Sequence, residues 1–456
     1  MWGEDIKLVF EYYHVIWMDK ALLSIEDRVL KMLVGRFNEV SDEGRRRELV
    51  KTSAKSINPA VTDAQIDEIF KDMNDIGIVS KLIYDENIED IMINNTDNIF
   101  VSSGKMGSVK LDERMKDRDE LNRFVDKLKL YATNEEYGGN LLDVHLPSGS
   151  RANVVSSPNG YDVTIRNFKR NTLSIIDLIN SGMMDYSIAS RLWLYVDGLK
   201  IRPANILIGG IPGAGKTTLL NAMFSFFRPE QRIITMEETY ELTTETQENC
   251  VRLETSETMP MEALVKASVR MRPDTIIIGE VRGAEANDMM TIMNIGKIAM
   301  GTIHASSSRD IVNRLEHAPM NVPMDIIPVI DVLIVASVIR AGTGNVPVRK
   351  ITQISEISGI ETHVLLSDLY RFDYKTMRGS PILPSVTYRD LISKLAGVPP
   401  SDILAEERVR AAILQRLNEL GRRDIRSISE VVRDYYYNPE EALKKLELDL
   451  EPVIRI

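Results

Sequence analysis

The sequence of 456 residues is poor in cysteine, histidine and aromatic residues, and it lacks long uninterrupted hydrophobic runs. A single cysteine, Cys250, excludes an intramolecular disulfide framework and suits a reducing compartment. Five histidines without a Cys/His cluster argue against zinc. The longest apolar region, residues 326–339, is interrupted by Pro328 and Asp331 and falls short of the roughly 18 residues of a membrane helix. With an acidic rather than basic N-terminus, these features predict a cytoplasmic protein.

Basic residues are not in excess either. The chain has 56 Lys and Arg against 67 Asp and Glu, which gives a formal net charge of -11. Broad nucleic-acid-binding surfaces neutralise phosphates with clustered Lys and Arg. The acidic balance therefore disfavours nucleic acid as a partner. A hydrophobic content of 44% is that of an ordinary folded protein, and the length predicts two or three domains.

The most informative segment that is present is residues 204–218, where an apolar run leads into a complete G-x-x-x-x-G-K-S/T loop. The glycines let backbone N–H groups curl around a β-phosphate, and the helix that follows adds the positive end of its dipole. We expect Lys216 to reach the β- and γ-phosphates and Thr217 to ligate Mg²⁺. The predicted nucleotide-binding residues are Gly210, Gly213, Ala214, Gly215, Lys216, Thr217 and Thr218.

Two further apolar runs end in carboxylates. Residues 275–280 are typical of a buried strand that delivers an acid to Mg²⁺ and the attacking water, which makes Glu280 the candidate for that role. Residues 233–241 end in a group of three acids, Glu237, Glu238 and Glu241. Hydrolysis needs a carboxylate that activates water, so this group is a candidate general base, and a solvated acidic loop is the alternative. A third run, residues 300–308, ends in a histidine and three serines. A lone histidine at a strand end, here His304, is usually a hydrogen-bonded structural residue, and a γ-phosphate sensor is the alternative.

Periodicity divides the chain into a helical segment (1–60), a small α+β domain (61–168), a linker (169–176), an α/β domain (177–378) and a helical C-terminal extension (379–456). Thr62 and Gln65 form a capping box that predicts a helix start. After the linker, buried-strand runs alternate with helical segments, which predicts a largely parallel sheet with the phosphate loop at the carboxyl end of its strand.

The C-terminal extension contains two more helix signals. Ser427 and Glu430 have the spacing of another capping box, and Asn438 followed by Pro439 predicts a last helix. One apolar stripe at helical spacing consists of Val409, Ile413, Leu417 and Leu420.

The ordered segments resemble the four boxes of the secretion ATPases that drive type II and type IV secretion, type IV pili and archaeal filaments. These are the glycine loop, E-x-x-x-E at 237–241, G-E-V-R at 279–282 and T-x-H-A-S at 302–306. The resemblance implies a P-loop, RecA-like motor domain in which Glu241 is the catalytic base, Glu237 supports it, and His304 is the histidine of the last box. It also implies ATP and Mg²⁺ as substrate and cofactor.

The smaller domain shares this resemblance. Residues 146–153 and 163–168 are similar to the two arginine motifs of the family's N-terminal domain. By that similarity Arg151 and Arg166 act on nucleotide phosphates as arginine fingers, a role that suits the planar, bidentate guanidinium.

Members of the family form hexameric rings. The resemblance therefore implies a homohexamer that rotates its small domain against the motor domain and works on a multi-span membrane platform protein, with cytosolic accessory proteins as further partners. Such a motor is cytoplasmic and peripheral at the membrane through its partners. The helical C-terminus is similar to that of archaeal archaellum and pilus assembly ATPases, which favours assembly of a type IV pilus-like archaeal filament.

Other interpretations remain open at this point. One is a type II or type IV secretion ATPase for protein export, another is a DNA translocase on the same core fold, and a third is a slow nucleotide-dependent switch. The sequence has no N/T-K-x-D segment of GTPases and no L-S-G-G-Q signature of ABC proteins. It departs from the family at residues 295–297, which read Ile-Gly-Lys where relatives often have Thr-Gly-His.

Overall fold

A computed structural model describes residues 20–37, 40, 42–85, 87–103, 107–136, 140–158, 160–167, 172–256, 258–340 and 347–450. The contacts divide the chain into two units, Met1–Arg170 and Asn171–Ile456. Residues 1–19 of the predicted N-terminal helical segment and residues 168–171 at the predicted linker lie outside the described part. Within that part, no helix is both long enough and apolar enough to cross a bilayer.

The first unit begins with helices that cover one sheet. The capping box at Thr62 is confirmed, because its N–H donates to Gln65 Oε1 at 3.0 Å and the Gln65 N–H donates to Thr62 Oγ1 at 3.3 Å. These two bonds satisfy N–H groups that have no partner inside the helix. The helices are α1 (Lys20–Met32), α2 (Glu43–Ile57), α3 (Asp63–Asn74), α4 (Ile78–Ile83) and α5 (Arg118–Lys129).

The sheet of this unit is antiparallel, with the order β3-β2-β1-β7-β6-β5-β4. Its strands are β1 (Asp90–Asn95), β2 (Asn98–Ser103), β3 (Gly107–Lys110), β4 (Ala132–Glu136), β5 (Leu141–His145), β6 (Arg151–Ser157) and β7 (Gly160–Arg166). Burial alternates along β7, because one face packs into the core and the other meets solvent.

The second unit is built on a sheet with the order β10-β9-β11-β12-β8-β13-β14-β15-β16. The first six strands in this order, β10, β9, β11, β12, β8 and β13, are parallel. Their bounds are β8 (Ile206–Gly209), β9 (Ile233–Glu237), β10 (Cys250–Glu254), β11 (Thr275–Val281), β12 (Ile298–Ile303) and β13 (Val332–Arg340). Both faces of the central strands β8, β9 and β12 are buried, because alternate residues such as Ile206 and Leu207 belong to the hydrophobic clusters on opposite sides of the sheet. The predicted mixed α/β fold is confirmed.

The sheet continues beyond the strands that the sequence predicts. Strands β14 (Pro347–Ile360), β15 (Val364–Asp373) and β16 (Arg378–Pro381) are antiparallel and extend the sheet beyond β13. Their residues mix buried, half-buried and exposed positions, so they lack the continuous apolar run that marks the parallel strands.

Helices cover both faces of this sheet: α6 (Ile175–Asn180), α7 (Tyr186–Asp197), α8 (Lys216–Ala222), α9 (Met261–Ser268), α10 (Glu285–Asn294), α11 (Ser308–Glu316), α12 (Thr387–Ala396), α13 (Pro400–Glu419), α14 (Ile425–Tyr437) and α15 (Pro439–Lys445). The C-terminal helices share a core with α7, where the Trp193 indole N–H donates to Tyr436 Oη at 2.7 Å. The predicted last helix after Asn438 is confirmed.

Two details of the C-terminal prediction are wrong. The helix near 427 begins two residues earlier, and its N-cap is Asp424, whose Oδ1 accepts the Ser427 N–H at 2.8 Å. Because Asp424 is the N-cap and the helix begins at Ile425, Ser427 lies inside the first turn and is not a cap. Leu420 does not continue the buried stripe of Val409, Ile413 and Leu417, because it ends α13 and is 46% exposed.

Candidate active site

The glycine loop connects β8 to α8 and contains all of the predicted phosphate-binding residues. Gly210 follows the strand directly, and a Cβ at this position would lie 2.7 Å from the Ala336 carbonyl oxygen, so a larger residue does not fit. Gly215 is the N-cap of α8 in the left-handed conformation, with φ +89°, which glycine adopts without strain. The loop thus turns tightly into the first turn of α8, which carries Lys216, Thr217 and Thr218.

Lys216 points back over the loop. Its Nζ donates to the carbonyl oxygen of Gly210 at 3.0 Å and lies 3.4 Å from that of Ile211. The side chain is largely buried, which lowers the pKa of the ammonium, while the carboxylate of Glu280 acts in the opposite direction. This lysine is held in a partly desolvated position where an anionic phosphate gains more from it than at an open surface.

The strand order brings the acids and the histidine to this point. The carboxyl ends of β8, β12, β11 and β9 lie side by side in that order. The glycine loop follows β8 and His304 follows β12, whereas Glu280 and Glu237 lie within the last residues of β11 and β9. His304 therefore stands between the lysine and the acid, as its contacts show.

His304 links the other two groups directly. Its Nδ1 lies 3.4 Å from Lys216 Nζ, and its Nε2 lies 2.6 Å from Glu280 Oε1. Burial and the charge of Lys216 lower the pKa of the imidazole against the opposing effect of Glu280. A neutral ring with its proton on Nε2 leaves Nδ1 able to accept a hydrogen bond from the ammonium.

Glu280 is held as a carboxylate by the cations around it. Burial alone would raise its pKa, but the hydrogen bond and charge of Arg282, with His304 and Lys216, bring the pKa below its ordinary value. Arg282 Nη2 donates to Glu280 Oε2 at 2.7 Å, and its Nη1 donates to both oxygens of Glu238, at 3.1 and 2.9 Å. Arg282 thus joins the acids of two neighbouring strand ends, a role the sequence reasoning did not assign to it.

The segment after β9 contains the acid to which the family resemblance gives the role of base. The predicted strand over 233–241 ends earlier, at Glu237. Glu237 is buried, and its Oε1 accepts the N–H groups of Glu241 at 2.8 Å and Leu242 at 2.9 Å. The side chain of Glu241 is exposed. A buried acid therefore shapes the loop, and an exposed acid projects from it.

Burial raises the pKa of Glu237 to about 7, although the two N–H groups and Arg252 counteract it. Its second oxygen, Oε2, is buried without a hydrogen bond, and Arg252 Nη2 lies 3.7 Å away. Desolvation without full pairing is costly for a carboxylate, and this cost raises the pKa of Glu237.

Arg151 and Arg166 lie together in the first unit. They face each other across β6 and β7, which no sequence pattern had indicated. Arg166 is 68% exposed, and its Nε donates to Asp90 Oδ1 at 3.0 Å. Two like charges therefore lie side by side on this sheet, and Asp90 supplies a counter-charge to Arg166.

The segment that departs from the family pattern lies away from these residues. Residues 295–297 end α10 and precede β12, whereas His304 follows the other end of that strand. Gly296 has φ +86°, and its N–H donates to the Met293 carbonyl, so the segment is a helix-terminating turn. It therefore lies at the opposite edge of the sheet from Lys216.

One further residue near the glycine loop escaped the sequence reasoning. Arg349, on the unpredicted strand β14, donates from Nε to the carbonyl oxygen of Gly213 at 2.8 Å. Its signal in the sequence is weak, because an arginine 133 residues after Lys216 can be placed only when the strand pairing is known.

The residues present suit a magnesium ion bound together with phosphate. Mg²⁺ is usually held by one or two carboxylates, phosphate oxygens and water, and no group of three acids, histidines or cysteines that could hold a metal occurs among the described residues. Glu280 is ionised, and its Oε1 is buried without a well-directed hydrogen bond even though His304 lies close. Thr217 and Glu280 would hold the ion, as the sequence predicts.

These elements match a known family. The family model described as "Type II/IV secretion system protein" matches residues 72–342. The chain belongs to this family. The matched region takes in both arginines, the glycine loop and the boxes that contain Glu241, Glu280 and His304, so the type II/IV secretion family resemblance drawn from the motifs is confirmed.

Several known proteins are similar to this chain. The uncharacterized protein MJ0781 of Methanocaldococcus jannaschii is 33% identical over 306 residues, 62% of this chain and 42% of that protein. The uncharacterized protein MJ0900 of the same organism is 28% identical over 85% of this chain and 72% of its own length. The conjugal transfer protein TrbB of Rhizobium radiobacter is 30% identical over 51% and 69%, respectively. The match thus spans less than half the length of MJ0781.

Solved structures of low identity are also similar. The ATPase DotB of Legionella pneumophila is 15% identical, with a TM-score of 0.45, over 78% of this chain and 94% of that one. The pilus retraction motor PilT with bound ADP is 16% identical, with a TM-score of 0.44, over 81% and 96%.

Proposed function

We propose that this chain is an ATP-hydrolysing motor of a type IV pilus-like archaeal filament, acting as a homohexamer on a membrane platform protein. The observation that carries the proposal is the joined set of Lys216, His304 and Glu280 at the strand ends, beside the loop of Glu241. A lysine in a phosphate loop, an ionised acid and a second acid in reach of water are the groups that phosphoryl transfer to water requires.

In this proposal the residues divide the chemistry among them. The glycine loop and Lys216 bind the β- and γ-phosphates, and Thr217 and Glu280 hold Mg²⁺, which neutralises charge that develops on the phosphates. Glu241 accepts a proton from the attacking water as general base. Arg151 and Arg166, which lie opposite each other on β6 and β7, supply cations to a phosphate in the assembled ring.

The hydrolysis step is tested with the purified full chain, Mg²⁺ and ATP, by following phosphate release. Glu241→Gln should lower turnover by about 10²-fold or more while ATP affinity changes little, because the amide cannot accept the proton. Glu245→Gln is the matched control, since Glu245 lies four residues away, is 75% exposed and pairs only loosely with Arg426 at 3.8 Å. Normal turnover in Glu241→Gln would refute the assignment of the base.

A second candidate is a motor for export through a type IV secretion or conjugation apparatus. The similarity to the conjugal transfer protein TrbB favours it. Deletion of the gene in the source organism separates the two functions: loss of surface filaments by electron microscopy supports the filament motor, and loss of exported protein with normal filaments supports the export motor.

A further inference from the structure

We propose that Asn221 is a positioning residue, which holds the loop of Glu241 against the helix that binds phosphate. This inference rests on the proposed function, because it concerns the acid to which hydrolysis is assigned there. Asn221 is near the end of α8, is 5% exposed, and belongs to none of the sequence motifs.

Both polar atoms of the Asn221 side chain form hydrogen bonds to the loop of Glu241. Its Nδ2 donates to the carbonyl oxygen of Glu241 at 3.3 Å, and its Oδ1 accepts the N–H of Thr243 at 2.8 Å. It therefore bonds to the peptide groups on both sides of Leu242, which is itself buried in the core. Aspartate at this position would lack the donor, and alanine would lack both groups.

The opposite side of the same backbone is held by Glu237, which accepts the N–H groups of Glu241 and Leu242. Residue 241 is thus fixed at its N–H from β9 and at its carbonyl from α8. With both main-chain groups fixed, the exposed carboxylate has only its own side-chain torsions left to move. Such restriction raises the fraction of time that a base spends in line with its water.

Asn221 also makes this restriction depend on the phosphate site. It lies five residues after Lys216 on the same helix, a rise of about 7.5 Å at 1.5 Å per residue. A shift of α8 toward a bound phosphate therefore carries the Glu241 carbonyl with it. We expect removal of Asn221 to spare nucleotide binding and to impair the chemical step.

The chain offers a matched control in Asn205, another buried asparagine that joins two elements. Its Nδ2 donates to the Val329 carbonyl at 2.8 Å, and its Oδ1 accepts the Ala299 N–H at 3.0 Å. Asn205 precedes β8, at the other edge of the sheet from the glycine loop. Loss of either asparagine leaves main-chain groups without their side-chain partner, but only Asn221 touches the loop of Glu241.

The experiment compares Asn221→Ala, the nearly isosteric Asn221→Asp and Asn205→Ala in ATP turnover, at a temperature below the unfolding transition of each. Both Asn221 variants should lower kcat by about 10²-fold with KM changed less than about threefold, because small misplacements of a catalytic group cost that much. Asn205→Ala should lower Tm and leave kcat within about twofold. Unchanged kcat in the Asn221 variants, or an equal loss in Asn205→Ala, would overturn the inference.

A double variant tests whether Asn221 acts through Glu241. Asn221→Ala combined with Glu241→Gln should be no slower than Glu241→Gln alone, and a further loss of similar size would overturn the inference. Amide hydrogen exchange at Thr243, whose N–H loses its acceptor, should accelerate in Asn221→Ala and not in Asn205→Ala. A wild-type chain with no ATP turnover would refute the proposed function and the inference together, whereas normal wild-type turnover with unchanged kcat in the variant refutes the inference alone.

Discussion

The parallel sheet of the second unit has charged and polar side chains both at the amino ends and at the carboxyl ends of its strands. The two edges differ in how completely these side chains are hydrogen-bonded. At the amino edge, Arg202 Nη1 donates to both oxygens of Asp331, at 2.9 and 3.0 Å, and the Asn205 N–H donates to Asp331 Oδ2 at 2.7 Å. Tyr388 donates its hydroxyl to the Arg202 carbonyl at 2.7 Å. Each of these contacts is short and directed.

At the carboxyl edge the charges are close but incompletely paired. Glu237 Oε2 is buried without a hydrogen bond. Glu280 Oε1 lies close to His304 Nε2 but is also without a well-directed hydrogen bond. Lys216 donates to carbonyl oxygens of its own loop, while the nearest carboxylates act on it through space. An edge with satisfied polar groups contributes to stability, whereas an edge with unsatisfied charges is poised for a ligand.

The largest effect should come from Lys216→Ala at the carboxyl edge. Turnover of ATP should fall by about 10³-fold or more, because the ammonium is the main cation that the phosphate loop offers to the β- and γ-phosphates. Phosphate release and binding of a fluorescent ATP analogue measure the loss. Lys266→Ala, an exposed lysine on α9 that pairs with Glu262, is the control and should behave as wild type.

At the amino edge, Asp331→Ala should have the opposite pattern. Unfolding free energy should fall by about 3 kcal/mol, because the change leaves Arg202 and the Asn205 N–H without their acceptor in a mostly buried position. Denaturant titration measures this, and kcat below the transition should stay within about twofold. A large loss of kcat with intact stability would break the distinction between the edges.

Glu237 sharpens the comparison through pH. Its folded-state pKa is about 7 against an ordinary value of 4.5, so the folded state binds the proton more tightly than the unfolded state. Its contribution to stability is therefore fully present below pH 4.5 and is lost as the pH rises through 7, by about 2 kcal/mol between pH 5 and pH 8.

Glu237→Gln should remove this loss, since glutamine keeps the Oε1 acceptor for Glu241 and Leu242 and stays neutral. Urea titrations of both proteins at pH 5 and pH 8 should show the variant gaining on the wild type at the higher pH. Arg252 and Glu241 are the charged groups nearest this acid, and Glu245→Gln controls for a generic loss of charge. Parallel pH profiles of wild type and Glu237→Gln would contradict the prediction.

The smallest effect should follow from Tyr388→Phe at the amino edge. It deletes one hydrogen bond to the Arg202 carbonyl, worth about 1 kcal/mol, and leaves the ring packed in the core. Thermal unfolding should register a small drop in Tm, with turnover unchanged. A turnover loss larger than that of Asn205→Ala would show that the amino edge communicates with the site.

The sequence by itself determined the local parts of this protein. The glycine loop, the buried strands and the acids at their ends could be predicted because loop geometry and burial leave a signal within a few neighbouring residues. The cap at Thr62 was predicted correctly for the same reason. At Ser427 the predicted cap is wrong because Asp424, three residues earlier, accepts the Ser427 N–H and starts the helix there.

Only the tertiary structure decided which of these parts meet. Strand order places His304 between Lys216 and Glu280, strand pairing sets Arg151 opposite Arg166, and the fold puts Asn221 against the loop of Glu241. These contacts join residues between 15 and 88 positions apart, at spacings that no local period encodes. They arise because burial of the apolar strands fixes one arrangement of the sheet, and the polar side chains at its edge take the neighbours that this arrangement gives them.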